Sequence, residues 1–469
     1  MNPILNLISA LGIVILCLIA WVGSEDRKVV PWRTIAVGIT LQMTIGLLVF
    51  VLPTRDLIAQ LNNLLNALLD ASEAGARFLF GGDTSAFVPN PNRVLGPGPA
   101  GRWIMRAVSQ PYVAIPGDKL GSDNLNPGYI FAFRSLPQVV FFSALVALLY
   151  RLNIIQPIVK IFAQLFQKTM KISGAESLSG AANIFVGIES AIAVKPFLAK
   201  MTRSEICAIL TSCFGSIASS VLGLYAGFLR PVFPSIAGHL VSASIMTIPA
   251  CFVISKILVP ETGVPETLGK IPEEPEQDPE KRPNPMDSLI MGALDGVKMA
   301  VGIAAVIIAI LGLVALINMG FDSLSGLPAP VGTVFQVVTL QNIMGFLFFP
   351  LTILTGVSLD INEIWQASVI IGRRVFETNV PPYISLANLS RAGAISDRAM
   401  LIVSYVLCGF THFASYGIFV GGLSSLIPER RSEVSSLGFK ALWAATLATL
   451  MTGCIAGLFD LGNPATLGR

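Results

Sequence analysis

Eight long runs of apolar residues divide this chain and leave it few ways to fold. They fall at 4–22, 33–52, 129–150, 205–228, 240–258, 288–318, 398–427 and 435–459. A hydrocarbon core of about 30 Å is crossed by about 20 such residues in a helix. Only a helix or a closed barrel satisfies its own backbone in lipid. Each run is therefore expected to be a transmembrane helix. Charged residues make up 13% of the 469 positions, against about 25% in soluble domains. That deficit excludes a water-soluble enzyme. Eight spans use only about a third of the chain, so much of the remainder is expected in or on the bilayer. The net charge of +3 is too small to point to nucleic acid.

The first run has no Lys or Arg before it and no small-residue cleavage pattern after it, so it reads as a span and not as a removable signal. An even number of spans puts both termini on one side. With the termini outside, the inner segments 23–33, 151–171, 195–203, 256–282 and 428–440 hold 17 basic residues. The short outer connections then hold only Arg230, Arg391 and Arg398. This positive-inside bias predicts a multi-pass plasma-membrane protein, of bacterial inner-membrane type, with both termini outside. All six cysteines lie in apolar stretches without CxxC spacing and are expected to be free, buried thiols.

Two further segments, 173–200 and 363–390, are semi-apolar, interrupted and carry ionisable groups. Each enters and leaves on the same side, the pattern of a re-entrant hairpin. Irregular backbone survives at that depth only where protein buries it or it lines a cavity. The two halves also echo each other at an offset of about 190–196 residues. Met201-Thr-Arg-Ser-Glu205 answers Ile395-Ser-Asp-Arg398, and Cys213-Phe-Gly-Ser-Ile-Ala-Ser219 answers Cys408-Gly-Phe-Thr-His-Phe-Ala-Ser415. An inverted repeat is expected, the plan by which secondary transporters bind substrate where broken helices meet. The fold class is thus an all-α polytopic membrane protein with eight core transmembrane helices and two opposed re-entrant hairpins, accompanied by interfacial amphipathic helices. The expected organisation is an N-terminal scaffold-like region (1–172), a first transport half (173–258), a cytoplasmic linker (259–286), a sixth span with an interfacial helix (287–362) and a second transport half (363–469). Within the first region, 56–78 reads as an amphipathic helix and the Gly-, Pro- and Asn-rich 81–127 as an outer loop. The proline- and glutamate-rich linker is expected only to join the halves.

Few polar residues lie within the apolar parts, so each counts. Asn183 and Ser216 supply an amide oxygen and a hydroxyl, hard donors that, with the freed carbonyls of a broken helix, suit sodium. The same residues also serve as helix-to-helix hydrogen-bonding glue. Glu189 is an intramembrane carboxylate, by default a functional candidate, with pairing to Lys195 as the structural alternative. His412 is a candidate ligand contact or proton relay, or a satisfied structural residue. Asp295 and Lys298 stand at i,i+3 and are expected to neutralise each other. No GxSxG, HExxH or phosphate-loop motif occurs, so neither an enzyme nor an ATP-driven pump is expected.

Several motifs together resemble concentrative nucleoside transporters. They are Phe131-Ala-Phe-Arg-Ser-Leu-Pro137, Gly180-Ala-Ala-Asn-Ile-Phe-Val-Gly187, Lys195-Pro-Phe-Leu-Ala-Lys-Met-Thr-Arg-Ser-Glu205, Asp295-Gly-Val-Lys298, Leu407-Cys-Gly-Phe410 and Gly421-Gly-Leu-Ser-Ser-Leu-Ile-Pro-Glu-Arg-Arg431. The resemblance runs in order from about residue 1 to 460. It implies eight spans, two opposed hairpins and a homotrimer. It also implies a sodium site made by Asn183, the Val186 carbonyl, Ser216 and the Ile217 backbone. Nucleobase contacts would fall on Ile188, Glu189 and Ser190 at the tip of the first hairpin and on Val221. The ribose side would fall on Asn379, Glu377, His412 and Ser415.

This chain departs from the family pattern at both ends of the implied substrate. The first tip reads Gly187-Ile188-Glu189-Ser190, one residue shorter than the family's, and lacks its base-reading glutamine. Asn379 stands where the family has a ribose-binding glutamate, and His412 where it has an asparagine. The expected function is sodium-coupled uptake of nucleosides by alternating access, with a proton as the other candidate coupling ion. The alternatives are a transporter of another small polar solute, such as a modified nucleoside or nucleobase, and a non-transporting membrane sensor.

Overall fold

The computed structural model describes residues 3–51, 55–80, 130–271, 284–328, 330–463 and 466–468. The expected outer loop 81–127 and the Pro/Glu-rich stretch of the linker lie outside the described residues. Every regular element among the described residues is helical. In the first half these are α1 (Pro3–Val22), α2 (Trp32–Phe50), α3 (Arg55–Phe80), α4 (Phe131–Arg151), α5 (Ile155–Met170) and α6 (Gly174–Ala182). A 3-10 turn at Ile188–Val194 leads to α7 (Lys195–Leu198), α8 (Arg203–Gly215), α9 (Ser219–Leu229) and α10 (Ile236–Leu258). The second half holds α11 (Pro285–Ser325), α12 (Val331–Phe335), α13 (Leu340–Leu354), α14 (Ile361–Glu377), α15 (Val380–Arg391), α16 (Asp397–Val406), α17 (Phe413–Leu426) and α18 (Arg431–Phe459).

Seven apolar stretches are long enough to cross a membrane. The seventh expected span, 398–427, is divided into α16 and α17, and the fourth is interrupted between α8 and α9. Both breaks fall in sequences that read as continuous apolar runs. Hairpin one is α6 with the 3-10 turn and α7; hairpin two is α14 with α15. A hairpin, a broken helix and a long unbroken helix therefore follow each other twice. Equivalent starts share their chemistry. Ser173 and Thr202 cap α6 and α8 through full capping boxes with Glu176 and Glu205, while Asp360 and Ser396 cap α14 and α16. Such caps satisfy amide donors that a buried helix start cannot give to water.

Two arginines show how the repeats are oriented. Arg203, at the start of α8, binds Glu25 just beyond the C-terminal end of α1 and Ser436 in the first turns of α18. Arg398, at the start of α16, binds Asn6 and Ser9 near the N-terminal end of α1 and Asp460 just past α18. Helices α1 and α18 thus lie antiparallel, and the two broken helices start at opposite ends of that pair. This is the inversion that the sequence predicts. The chain ends of the helical body also meet, since Asn6 Nδ2 donates to the Asp460 carbonyl at 3.4 Å.

Helix α11 has 41 residues and at 1.5 Å per residue is roughly 60 Å long. It lies on α4 through Gly292 and Gly296, where an added Cβ would stand 2.9 Å from the Ser143 carbonyl and 2.7 Å from the Val140 Cα. Small residues at this spacing let two membrane helices approach closely. Its other face exposes Ile290, Leu294, Val297, Val301, Ile308 and Leu316. Asp295 and Lys298 pair there at 3.0 Å, as expected. The linker does more than join: Thr267 receives the Gly174 and Ala175 amides at the start of hairpin one, and Glu261 binds Thr202 and Lys256. Lys256 in turn pairs with the buried Glu176 at 2.5 Å. The six cysteines are free, five of them buried.

Arg398→Ala removes an ion pair that is only slightly exposed on either side, at a cost of about 1–3 kcal/mol. A fall of several degrees in the melting temperature of the detergent-purified protein is expected. Arg391→Ala, at an exposed residue bonded to Asn388, serves as the control and should leave it nearly unchanged. The ends of Arg203 and Lys440 hold the Glu25 carboxyl below the usual carboxylate range. A lowered folded-state pKa contributes stability above the unfolded value of about 4.3 and loses it as pH falls through the folded value. The stability difference between the parent and Glu25→Gln should therefore be constant from about pH 7 to 5 and shrink below about pH 4.

Candidate functional site

Hairpin one turns at Asn183, which ends α6, and the following carbonyls are left without helical partners. The turn is stitched to the α8–α9 break by the Ser219 amide, which donates to the Phe185 carbonyl at 2.9 Å. Here acceptors converge. One atom of the Asn183 side-chain amide lies 3.2 Å from the Val186 carbonyl oxygen, 2.9 Å from that of Gly187 and 3.1 Å from Ser190 Oγ, while the other lies 3.0 Å from Ser190 Oγ, 3.4 Å from Ser212 Oγ and 3.5 Å from Cys213 Sγ. Two physical states resolve such crowding. The amide can rotate and turn Nδ2 onto the three acceptors, or a cation can sit among the oxygens. Ser216 favours the cation, because its Oγ is buried and unpartnered and rotating Asn183 supplies it with nothing. Residues 216 and 217 lie between the contacts that Ser212, Cys213 and Ser219 make with the hairpin. Uncharged oxygens from side chains and backbone fit a hard monovalent ion.

Hairpin two turns at Thr378, whose φ of 66° and ψ of −175° lie in a region essentially reserved for glycine. Asn379 follows, fully buried, and its Nδ2 donates to the Gly409 carbonyl at 2.6 Å. Its side chain also meets the hydroxyl of Tyr225, and Tyr225 stacks on Tyr383 with ring centroids 4.6 Å apart. Gly409 lies in the α16–α17 break. Arg374, fully buried, donates from Nη1 to the Val406 carbonyl and from Nη2 to Thr449 Oγ1 at 2.9 Å. A guanidinium at the C-terminal end of α16 complements the helix dipole and its orphan carbonyls. His412 restarts the chain as the N-cap of α17: its Nδ1 accepts the Ser415 amide at 3.1 Å. Ser415 Oγ accepts the His412 amide and gives its one proton to either the Phe410 or the His412 carbonyl. An Nδ1 that accepts carries no proton, so the neutral ring bears it on Nε2. Nε2 has no protein partner among the described residues.

The expected residues separate into groups. Asn183, Val186, Ser190, Ser216 and Ile217 gather at the first turn and break. Val221 sits in the first turn of α9, and Asn379, His412 and Ser415 gather at the second turn and break. Glu377 does not join them. It is buried, receives Arg373 Nε at 2.6 Å and Gln341 Nε2 at 2.7 Å, and so belongs to the stem of hairpin two. The backbone of Ile188 and Glu189 runs in the 3-10 turn, but their side chains lie outside the described residues. Lys195 is exposed. The sequence reading missed the Gly187 carbonyl, Arg374 and the Tyr225–Tyr383 stack. It also missed that His412 and Ser415 share the i,i+3 spacing of a capping box.

Known proteins resemble this architecture along its whole length. The family models described as Na+ dependent nucleoside transporter N-terminus and C-terminus match residues 11–83 and 239–457, and one described as nucleoside recognition matches 132–232. An uncharacterized transporter of Haemophilus influenzae is 34% identical over 96% of this chain and 97% of its own. The nucleoside permease NupC of Helicobacter pylori is 30% identical over 97% of this chain and 98% of its own. Among solved structures, CNTnw in an inward-facing substrate-bound state superposes with a TM-score of 0.82 at 32% identity, covering 99% of this chain and all of the other. Hairpins, mirrored breaks and matches across both halves lead to one assignment: the chain belongs to the Na+-dependent, concentrative nucleoside transporter family.

Proposed function

We propose that this protein is a sodium-coupled nucleoside symporter that works by alternating access. The single observation that carries the coupling ion is the convergence of Asn183 Oδ1 with the Val186 and Gly187 carbonyls beside the unpartnered Ser216 hydroxyl. A sodium ion there, with the Ile217 carbonyl as a further donor, would tie the hairpin-one turn to the α8–α9 break. Its binding would fix the tip from which Ile188 and Glu189 meet the substrate. Val221 and the Nε2–H of His412 would complete the pocket between the two hairpins.

The surroundings of that pocket follow the same reading. The hairpins are re-entrant, both termini face outside and the basic inner loops face the cytoplasm. Lipid and two further copies of the chain, in a homotrimer, cover the apolar face of α11. His412 disfavours a proton as the coupling ion at this site, because protonating Nδ1 would set an N–H against the Ser415 amide. A second reading of the substrate has an observation of its own. Asn379 Nδ2, Glu377 and Ser415 Oγ are all committed to protein partners, which leaves the buried, unpartnered Asn379 Oδ1 as the main acceptor for a ribose hydroxyl. That favours recognition through the base and admits a nucleobase or modified nucleoside.

In proteoliposomes an inward sodium gradient should raise the initial uptake of labelled uridine or adenosine at least about tenfold over an equal potassium gradient. Asn183→Ala should abolish that difference. Equal uptake under both gradients removes the sodium claim, and uptake outcompeted only by free nucleobases moves the substrate to the second reading. At position 412, alanine loses the cap at a cost of about 1 kcal/mol, whereas asparagine keeps an acceptor. His412→Asn should keep the parent's melting temperature and change only substrate affinity, while His412→Ala should lower both. Identical melting temperatures for the two variants would rule out the capping role.

A further inference from the structure

We infer that Ser190 is a ligand of the coupling cation, brought there by the shortened tip of hairpin one. This rests on the sodium reading above and adds to its ligand set a residue that the family resemblance would place against the nucleobase. Ser190 is 1% exposed, so its hydroxyl is turned into the protein. Its amide donates to the Gly187 carbonyl at 3.1 Å. In a 3-10 turn, residues three apart eclipse one another, which brings Ser190 Oγ to the same side as that carbonyl. Oγ stands 3.1 Å from Asn183 Oδ1, as the Gly187 carbonyl does at 2.9 Å and the Val186 carbonyl at 3.2 Å. Such separations suit neighbouring ligands of an ion with bonds of about 2.3–2.6 Å, the range for Ca2+, and sodium is of similar size. Oγ also lies 3.0 Å from the other atom of the Asn183 amide, 3.4 Å from Ser179 Oγ and 3.9 Å from Cys213 Sγ. Thiol sulfur is too soft for a hard cation. Ser179 Oγ donates to Ser190 Oγ, which leaves Ser190 its second lone pair for the ion.

The test reads sodium binding without transport. The full-length protein in detergent is melted across a sodium chloride series, with choline chloride holding ionic strength constant and no nucleoside present. Ser190→Ala should raise the sodium concentration at half-maximal stabilisation about tenfold or more, the scale on which even outer partners of a metal site act. Ser190→Thr, which keeps the hydroxyl, should stay close to the parent. Uridine and adenosine affinities measured at saturating sodium should be nearly the same in all three proteins. Ser216→Ala gives the reference loss for a ligand of the original set. If Ser216→Ala weakens sodium binding and Ser190→Ala does not, the inference about Ser190 fails and the sodium site stands. If Ser190→Ala instead loses only nucleoside affinity, Ser190 belongs to the substrate. A parent that shows no sodium-dependent stabilisation overturns both readings.

Discussion

Where Gly409 meets Gly215, two interrupted helices cross with nothing between their backbones. A Cβ on Gly409 would stand 2.7 Å from the Gly215 carbonyl oxygen, and one on Gly215 would stand 2.2 Å from Cys251 Sγ. Everything at the centre depends on this approach. With the breaks in contact, each hairpin turn reaches the interruption of its own half. The hairpins also pack crosswise, hairpin one against α17 and hairpin two against α9. The two hairpin turns and the two helix restarts therefore lie together at the centre of the molecule. A larger side chain at Gly409 would separate the breaks and take the donors and acceptors of one half away from the other.

The hairpins are held by different chemistry. Hairpin one is fixed at its base by the strap that follows α10, through Thr267 on its first amides and the Lys256–Glu176 pair. Hairpin two hangs on a polar relay that begins on the long helix α11. Asn318 binds Gln341, Gln341 binds Glu377, and Glu377 binds Arg373, which reaches across to Ser385 on α15. One hairpin is thus tied to α10 and the strap that follows it, the other to the helix that lies along the outside of the molecule.

Much of this was legible in the residues. Apolar runs gave the spans, whereas Thr202 with Glu205 three positions on carries the capping-box spacing of a helix start that the span reading did not use. The repeat in sequence prepared the inversion that Arg203 and Arg398 make visible. The interruption of the 398–427 run was not legible, because its residues are as apolar on either side of the break as within a continuous helix. It is made by tertiary contacts: Arg374 on the Val406 carbonyl, Asn379 on Gly409, and a histidine serving as cap. Glu377, which the resemblance places on the ribose side, is held in the stem of hairpin two by Arg373, four residues back on the same helix face.

Thr378 gives the tip of hairpin two a mechanical character. A β-branched residue held where glycine belongs stores about 1–3 kcal/mol, and the neighbouring anchors keep it there, chiefly the grip of Asn379 on the Gly409 carbonyl. The tip behaves as a cocked spring with the amide of Asn379 as its catch. Releasing the catch gives up one hydrogen bond but recovers the backbone strain. Moving this hairpin away from the α16–α17 break should therefore take less work than its buried contacts imply.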